Sequence, residues 1–404
     1  MRIRFHRAGL IAGASVLVGL GVGLSVPAVA SGPSAANSAA KDGHGHGNGH
    51  GPFPHMDHVF VIMMENTSYT DLLSPSNQNT TFIQSLATTY GLETDYYGVT
   101  HTSLPNYVAV TSGSTWGSNA DDEAQADQGY FNHLNLVDQL EQRGVSWKGY
   151  MESMPSVGYT GDYGDCTNDP TCTNNDTSTA LYVRKHNPFM QYPDIINNPQ
   201  RSDNVVPLTQ LTTDLQDGNV PQFAWITPNI CSDMHGGAPE CPYPSSPTDP
   251  AQATLYRDGD TFLNTWVTAI MKSPAWTGNS AIFVMWDEGG YEDSSPYGPT
   301  DDSGCCDSPV IPSAAPDPAT GSGGDLVGGT LYGGGHVPMI VIARNGARGT
   351  ADSAPTNHYS LLQTIEQNWD LPFLGNASDT VQVQSLAPLL EPARHHDGVD
   401  GAAT

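Results

Sequence analysis

Ala281-Ile-Phe-Val-Met-Trp-Asp-Glu-Gly-Gly290 is an unbroken apolar, β-prone run that ends in two carboxylates and two glycines. Such a run, with no polar alternation, marks a strand covered on both faces, as at the centre of a parallel sheet. Asp287 and Glu288 fall where that strand leaves the core, and in open α/β sheets this carboxyl end is where ligands bind. Gly289 and Gly290 allow a sharp turn and a close backbone approach to whatever the carboxylates hold. Taken alone, an Asp-Glu pair in this position reads as a solvated turn. A second strand ending the same way changes that reading: His58-Val-Phe-Val-Ile-Met-Met64 runs into Glu65-Asn66.

Working outward, apolar runs and helical patterns alternate. Helical periodicity covers residues 82–90, 130–143 (closed by Gly144), 258–273 and 361–369, with strands over 145–151, 222–229 and 335–343. This rhythm predicts an α/β fold, with a mostly parallel central sheet and helices on both faces. In Thr100-His-Thr-Ser-Leu-Pro-Asn-Tyr107, Pro105 suits the first turn of a helix, so Ser103 belongs at or just before a helix N-terminus. There it is either an N-cap or a hydroxyl beside free backbone N–H groups that attract a phosphate. Residues 291–335 are Gly, Ser, Pro and Asp with little else, which reads as a loop-rich insertion near the site.

The ends of the 404-residue chain read differently from its middle. Arg2, Arg4 and Arg7 precede an apolar run to Val26, and Ala28-Val29-Ala30 is a small-x-small cleavage site, so residues 1–30 are expected to be a signal peptide. No adjacent arginine pair is present, which favours general secretion and an extracellular location. Residues 31–53, rich in Gly and His, read as a flexible linker, 54–390 as one domain and 391–404 as a tail. No later segment is apolar enough to anchor the chain in a membrane. With 14 Lys+Arg against 42 Asp+Glu, the formal net charge is −28, which argues against nucleic acid or an anionic membrane as an electrostatic partner.

An exported chain can form disulfides. The short separations suggest Cys166–Cys172 and Cys231–Cys241 as local staples, leaving Cys305 and Cys306 as a vicinal pair or a source of cross-links.

Glu65, Asn66, Asp287 and Glu288 offer only oxygen, a donor set suited to a hard divalent cation such as Ca, Mg or Mn, with Zn as the softer alternative. Carboxylates so close together repel unless a cation neutralises them. Beside that cation the Ser103 hydroxyl becomes a candidate nucleophile and a fifth ligand. His101, His186, His235, His336 and His358 fall in loops or at element ends, where imidazoles bind anions and transfer protons. No Gly-x-Ser-x-Gly elbow and no Walker loop occur, which counts against a Ser-His-Asp esterase and against a nucleoside triphosphate substrate.

The ordered set Met64-Glu-Asn66, Thr100-His-Thr-Ser-Leu-Pro-Asn-Tyr107, Lys185-His-Asn-Pro188, Asp233-Met-His235, Trp286-Asp-Glu-Gly289 and His358-Tyr-Ser360 resembles the bacterial phosphoesterase family. That family holds acid phosphatases and phospholipases C and belongs to the alkaline-phosphatase-like superfamily. The similarity runs over residues 57–375 and is nearest to secreted acid phosphatases acting on phosphatidylinositol 3-phosphate. It implies an alkaline-phosphatase-like fold and hydrolysis of phosphate esters, small molecules or phosphoinositides, through a phosphoserine on Ser103. It further implies metal ligation by Glu65, Asn66, Asp287 and Glu288. His186 and His235 would lie near the phosphate, with His101, His336 and His358 in the same shell. Sulfatases of the superfamily need an arginine after the Ser-x-Pro, and this chain has Tyr107. The family's phospholipases usually carry an aromatic-Asp-His after the Asp-Glu-Gly-Gly run, where this chain has Tyr291-Glu-Asp-Ser294. The expectation is therefore a phosphomonoesterase, with a phospholipase C-type phosphodiesterase as the alternative and a non-catalytic cation-binding protein as a third reading.

Overall fold

The computed structural model describes residues 52–392 apart from 119, 165–179, 246–248, 291–300, 302, 309–310, 313–329 and 332. Eight strands form the main sheet: β1 Val59–Met64, β2 Gly91–Glu93, β3 Trp147–Met151, β4 Val205–Pro207, β5 Phe223–Thr227, β6 Ala281–Trp286, β7 Met339–Ala343 and β8 Thr350–Asp352. Their order across the sheet is β8-β2-β7-β6-β1-β5-β3-β4. All run the same way except β7, which is antiparallel to both β6 and β2. The expected mostly parallel sheet is therefore present.

β1 and β6 are buried at every position, and since successive side chains face opposite sides, both faces of the sheet are covered. Each such Val, Ile, Phe or Met contributes roughly 1.5–3 kcal/mol by leaving water. Two helix pairs supply much of the cover: α1 Thr81–Thr89 packs on α4 Pro250–Lys272, and α2 Ser103–Ser112 packs on α5 His358–Asn368. Between them in the chain lies α3 Leu136–Arg143.

Parallel pairing of β1 with β6 sets Met64 opposite Trp286, so Glu65 and Asp287 emerge side by side at the same sheet edge. The Asp287 N–H donates to Met64 O at 3.0 Å, and the Glu65 N–H to Asp233 O at 2.9 Å, which ties three loops together at that edge.

Several boundaries differ from expectation for local reasons. α3 begins at Leu136 because Asn135 caps it, accepting from the Val137 N–H at 2.9 Å while Asp138 returns the bond to the Asn135 N–H at 3.1 Å. Leu134, inside the stretch expected to be helical, precedes that cap and is 68% exposed. The helix expected from 258 starts at Pro250, where Asp249 accepts from the Ala251 N–H at 2.9 Å. His358 is the first residue of α5, since Asn357 is its cap.

Phe53, at the end of the stretch read as linker, is buried in the core. Within the insertion, Ile311–Pro312 pairs antiparallel with Thr330–Leu331, a ribbon that composition did not suggest. Cys231–Cys241 and Cys305–Cys306 are disulfide-bonded. The signal segment, the linker up to residue 51, Cys166–Cys172 and the tail from 393 lie outside the described residues. No described helix is long and apolar enough to cross a membrane.

Candidate active site

At the carboxyl edge of β1 and β6, the acidic residues are not a solvated turn. Glu65 and Asp287 are fully buried and Glu288 is 1% exposed. Gly289 and Gly290 serve by close approach, not by a left-handed turn. A Cβ on Gly289 would lie 3.2 Å from Ser68 Oγ, and one on Gly290 3.1 Å from the Asn66 carbonyl oxygen. Asn66 itself is left-handed, at φ 40°, a conformation asparagine tolerates better than most residues.

Ser103 is the first residue of α2 and is 1% exposed. Its hydroxyl donates to Glu65 Oε2 at 3.0 Å and lies 3.4 Å from Glu288 Oε1. One hydroxyl proton cannot serve both carboxylates. Between these two oxygens sits the Asn66 amide, 3.1 Å from each. With its nitrogen toward them it donates to both; with its oxygen toward them it completes an all-oxygen cluster with Ser103. The Asn66 N–H donates to Asp287 Oδ1 at 3.0 Å, and Asp287 Oδ2 is buried with no hydrogen-bond partner among the described residues. Burial first, then Glu288, pushes the Asp287 carboxyl up to about 8. Burial first, then Asp287 and Asp233, holds Glu65 well above the usual carboxylate range. Buried, mutually repelling oxygens with one left unpartnered fit a hard cation held by Glu65, Asn66, Asp287 and Glu288.

Against this cluster stands a nitrogen-rich wall. Ligating atoms of Glu65, His186 and His235 lie within 4.8 Å of one another. His186 Nδ1 is 3.1 Å from Asp233 Oδ2, while its Nε2 faces Glu65 Oε1 at 3.4 Å. Burial, then Lys185, then His235 push the His186 imidazole well below its usual range. Burial and Lys185 bring His235 down to about 3, so both rings are neutral at physiological pH. The His235 backbone N–H donates to Asp233 Oδ1 at 2.7 Å, and Met234 between them is left-handed at φ 84°. The Cys231–Cys241 bond closes this loop.

His101 behaves oppositely. Burial disfavours its charge, but its Nδ1 contact with Glu288 Oε2 outweighs that and raises it to about 9. As an imidazolium it also donates from Nε2 to Asp301 O at 2.9 Å.

Two expected histidines sit behind the cluster. His358 Nε2 is 2.6 Å from the Asp287 carbonyl oxygen and its Nδ1 is 3.0 Å from Tyr96 Oη, so it braces the Asp287 backbone. The His336 ring stacks on Tyr69 with centroids 4.5 Å apart, and its Nε2 is 2.9 Å from the Thr94 carbonyl oxygen. Among the described residues, neither ring hydrogen-bonds Ser103 or the carboxylate side chains; their partners are Tyr69, Thr94, Tyr96, Tyr97 and the Asp287 backbone.

Other residues join the site without having been singled out. Tyr107 donates to Glu65 Oε1 at 2.6 Å, and its position four residues after Ser103 on one helix is a spacing that could have revealed it. Lys185 precedes His186; its ammonium is 2.7 Å from Asp121 Oδ2 and 3.4 Å from His235 Nε2. Tyr243 Oη is 3.3 Å from His235 Nε2. Asp121 and Tyr243 come from irregular loops, where no periodic signal points to them.

A model of the phosphoesterase family matches residues 71–372. An acid phosphatase from Aspergillus fumigatus is 26% identical over 317 residues, which cover 78% of this chain and 55% of that protein. A phosphatidylinositol-3-phosphatase from Mycobacterium tuberculosis is 24% identical over 333 residues, 82% of this chain and 83% of that protein. Among solved structures, a protein of the alkaline phosphatase superfamily from Vibrio parahaemolyticus aligns with a TM-score of 0.46 and 12% identity over 85% of this chain and 70% of that chain. The chain spans less than two thirds of the fungal acid phosphatases it matches, 55% of the Aspergillus protein and 61% of a probable acid phosphatase from Kluyveromyces lactis.

Proposed function

Because the chain belongs to the phosphoesterase family, we propose that it is a secreted, metal-dependent phosphomonoesterase that works through a phosphoserine on Ser103. The observation that carries this reading is the Ser103 hydroxyl, at the first residue of a helix, 3.0 Å from Glu65 Oε2 and bordered by Asn66 and Glu288. Bound by Glu65, Asn66, Asp287 and Glu288, a divalent cation supplies positive charge that makes the hydroxyl more acidic.

The chain's own groups do the rest. Glu65 Oε2 takes the Ser103 proton as Oγ attacks phosphorus and the ester P–O bond breaks; the leaving oxygen takes a proton from solvent water and departs as the alcohol. The Leu104 N–H, at the helix N-terminus, and the Lys185 ammonium stabilise charge on the equatorial phosphoryl oxygens once an ester is bound. Water then cleaves the phosphoserine to give inorganic phosphate and regenerate Ser103. Tyr107 keeps Glu65 oriented through its other oxygen, and His101, charged, holds Glu288. Neutral His186 and His235 are able to accept a proton on the phosphate side.

The fungal and mycobacterial relatives named as phosphatases support a phosphate-ester substrate. Tyr291-Glu-Asp-Ser294, which lacks the histidine of the phospholipase pattern, supports monoesters over diesters. The test is turnover of p-nitrophenyl phosphate against phosphatidylcholine at equal enzyme concentration, with Ser103→Ala as control. The reading expects the monoester to be cleaved and the variant to be inert; an active variant, or preference for the phospholipid, counts against it.

A further inference from the structure

Ser103 is 1% exposed, so in this form no ester reaches its hydroxyl. The segment carrying Asp121 lies on the α2 terminus at this point. Asp121 Oδ1 accepts from the Leu104 N–H at 3.0 Å, and Asp121 Oδ2 pairs with the Lys185 ammonium at 2.7 Å. The Asp121 and Lys185 side chains retain 29% and 18% exposure, so the pair stands at the solvent side of the buried serine. One carboxylate thus satisfies both groups that the proposed mechanism gives to the phosphoryl oxygens.

We propose that Asp121 is an internal occupant of the phosphate position, which a phosphate ester must expel before it reaches Ser103. This rests on the phosphomonoesterase reading and adds a regulatory contact to that site. Asp121 takes no part in the chemistry. Its segment is fastened to the same turn by two more contacts: Glu123 Oε1 accepts from the Lys185 N–H at 2.8 Å, and Asp127 Oδ1 pairs with Arg184 Nη1 at 2.8 Å. Asp127 is 66% exposed, so solvent screens its side of this pair and the strap holds the closed form without locking it.

The consequence is quantitative. A competing internal anion divides the dissociation constant of every phosphate ligand by the fraction of molecules in which it has been released, and so weakens binding. It raises KM for each ester and Kd for inorganic phosphate by one common factor, and it does not lower kcat.

The test uses the full chain loaded with its divalent metal. Inorganic phosphate binding is measured by calorimetry in a Ser103→Ala background, and KM for p-nitrophenyl phosphate in the parent. Asp121→Asn and Asp121→Ala are expected to lower both constants together, by about tenfold, with kcat not reduced. Asp122→Asn, which removes the same charge from the adjacent exposed position, is expected to leave both unchanged. Unchanged or weakened phosphate binding in both Asp121 variants overturns the proposal, as does an equal gain in Asp122→Asn, which makes the effect general electrostatics. Because the calorimetry needs no turnover, a failure of the occupant is distinguished from a failure of the phosphatase reading, which shows as no hydrolysis in the parent.

Discussion

Tyr107 and Ser103, one helical turn apart on α2, donate to the two oxygens of a single buried carboxylate, Glu65, at 2.6 Å and 3.0 Å. The helix therefore presents the proposed nucleophile and the group that would orient its proton acceptor as one rigid unit, against a residue fixed at the end of β1. Tyr107→Phe removes one of these bonds while keeping the ring stacked on His186, where the centroids are 5.6 Å apart. A hydrogen bond to a charged group contributes about 1.5–3 kcal/mol, so kcat is expected to fall by roughly 10–100-fold with the fold retained. Steady-state kinetics with circular dichroism checks this; an unchanged kcat means that Glu65 does not depend on the tyrosine.

Metal removal has a signature beyond lost activity. Without a cation the Asp287 carboxyl, raised to about 8, carries a proton at pH 7, whereas bound metal requires the ionised form. Metal binding at pH 7 is therefore expected to release protons. Calorimetry of metal titration in two buffers of different ionisation heat measures the number, and a value of zero contradicts the ligand assignment.

The opening strands were legible because fully buried parallel strands leave an unmistakable apolar run, and their paired endings named Glu65, Asn66, Asp287 and Glu288 together. Ser103 was legible through Pro105, which marks a first helical turn. The histidines were not sorted by sequence. His358 follows a cap residue and turns its ring to the Asp287 backbone, and His336 stacks between Tyr69 and Tyr97, outcomes that depend on packing across the fold. Asp121 and Tyr243 reach the site from loops, whose course is set by tertiary contacts and leaves no periodic trace.

Glu93 offers a prediction about stability. Both of its carboxylate oxygens are buried without hydrogen-bond partners among the described residues, and burial, then Asp352 and Asp95, raise it from 4.5 to about 8. The native state therefore holds this proton more tightly than the unfolded chain, and stability falls as pH rises from about 4.5 to about 8. Glu93→Gln is expected to raise the melting temperature at pH 8 and to change it little at pH 4.5. Thermal denaturation at both pH values checks this, and an equal shift at both contradicts the buried-proton account.

The Cys231–Cys241 bond closes the loop that carries Asp233 and His235. Replacing both cysteines by serine is expected to cost about 2–3 kcal/mol in urea denaturation. It should also lower kcat, because the His235 ring loses its fixed position. Full stability with full activity would show that the loop is held by its other contacts alone.

The central claim is that Ser103 becomes phosphorylated during turnover. The direct measurement is an acid quench of the metal-loaded enzyme during steady-state hydrolysis of a phosphomonoester, followed by peptide mass spectrometry. The account predicts one added phosphoryl group on the peptide containing Ser103, absent from the Ser103→Ala variant. Rapid turnover with no phosphopeptide, or with the phosphoryl group on another residue, contradicts it.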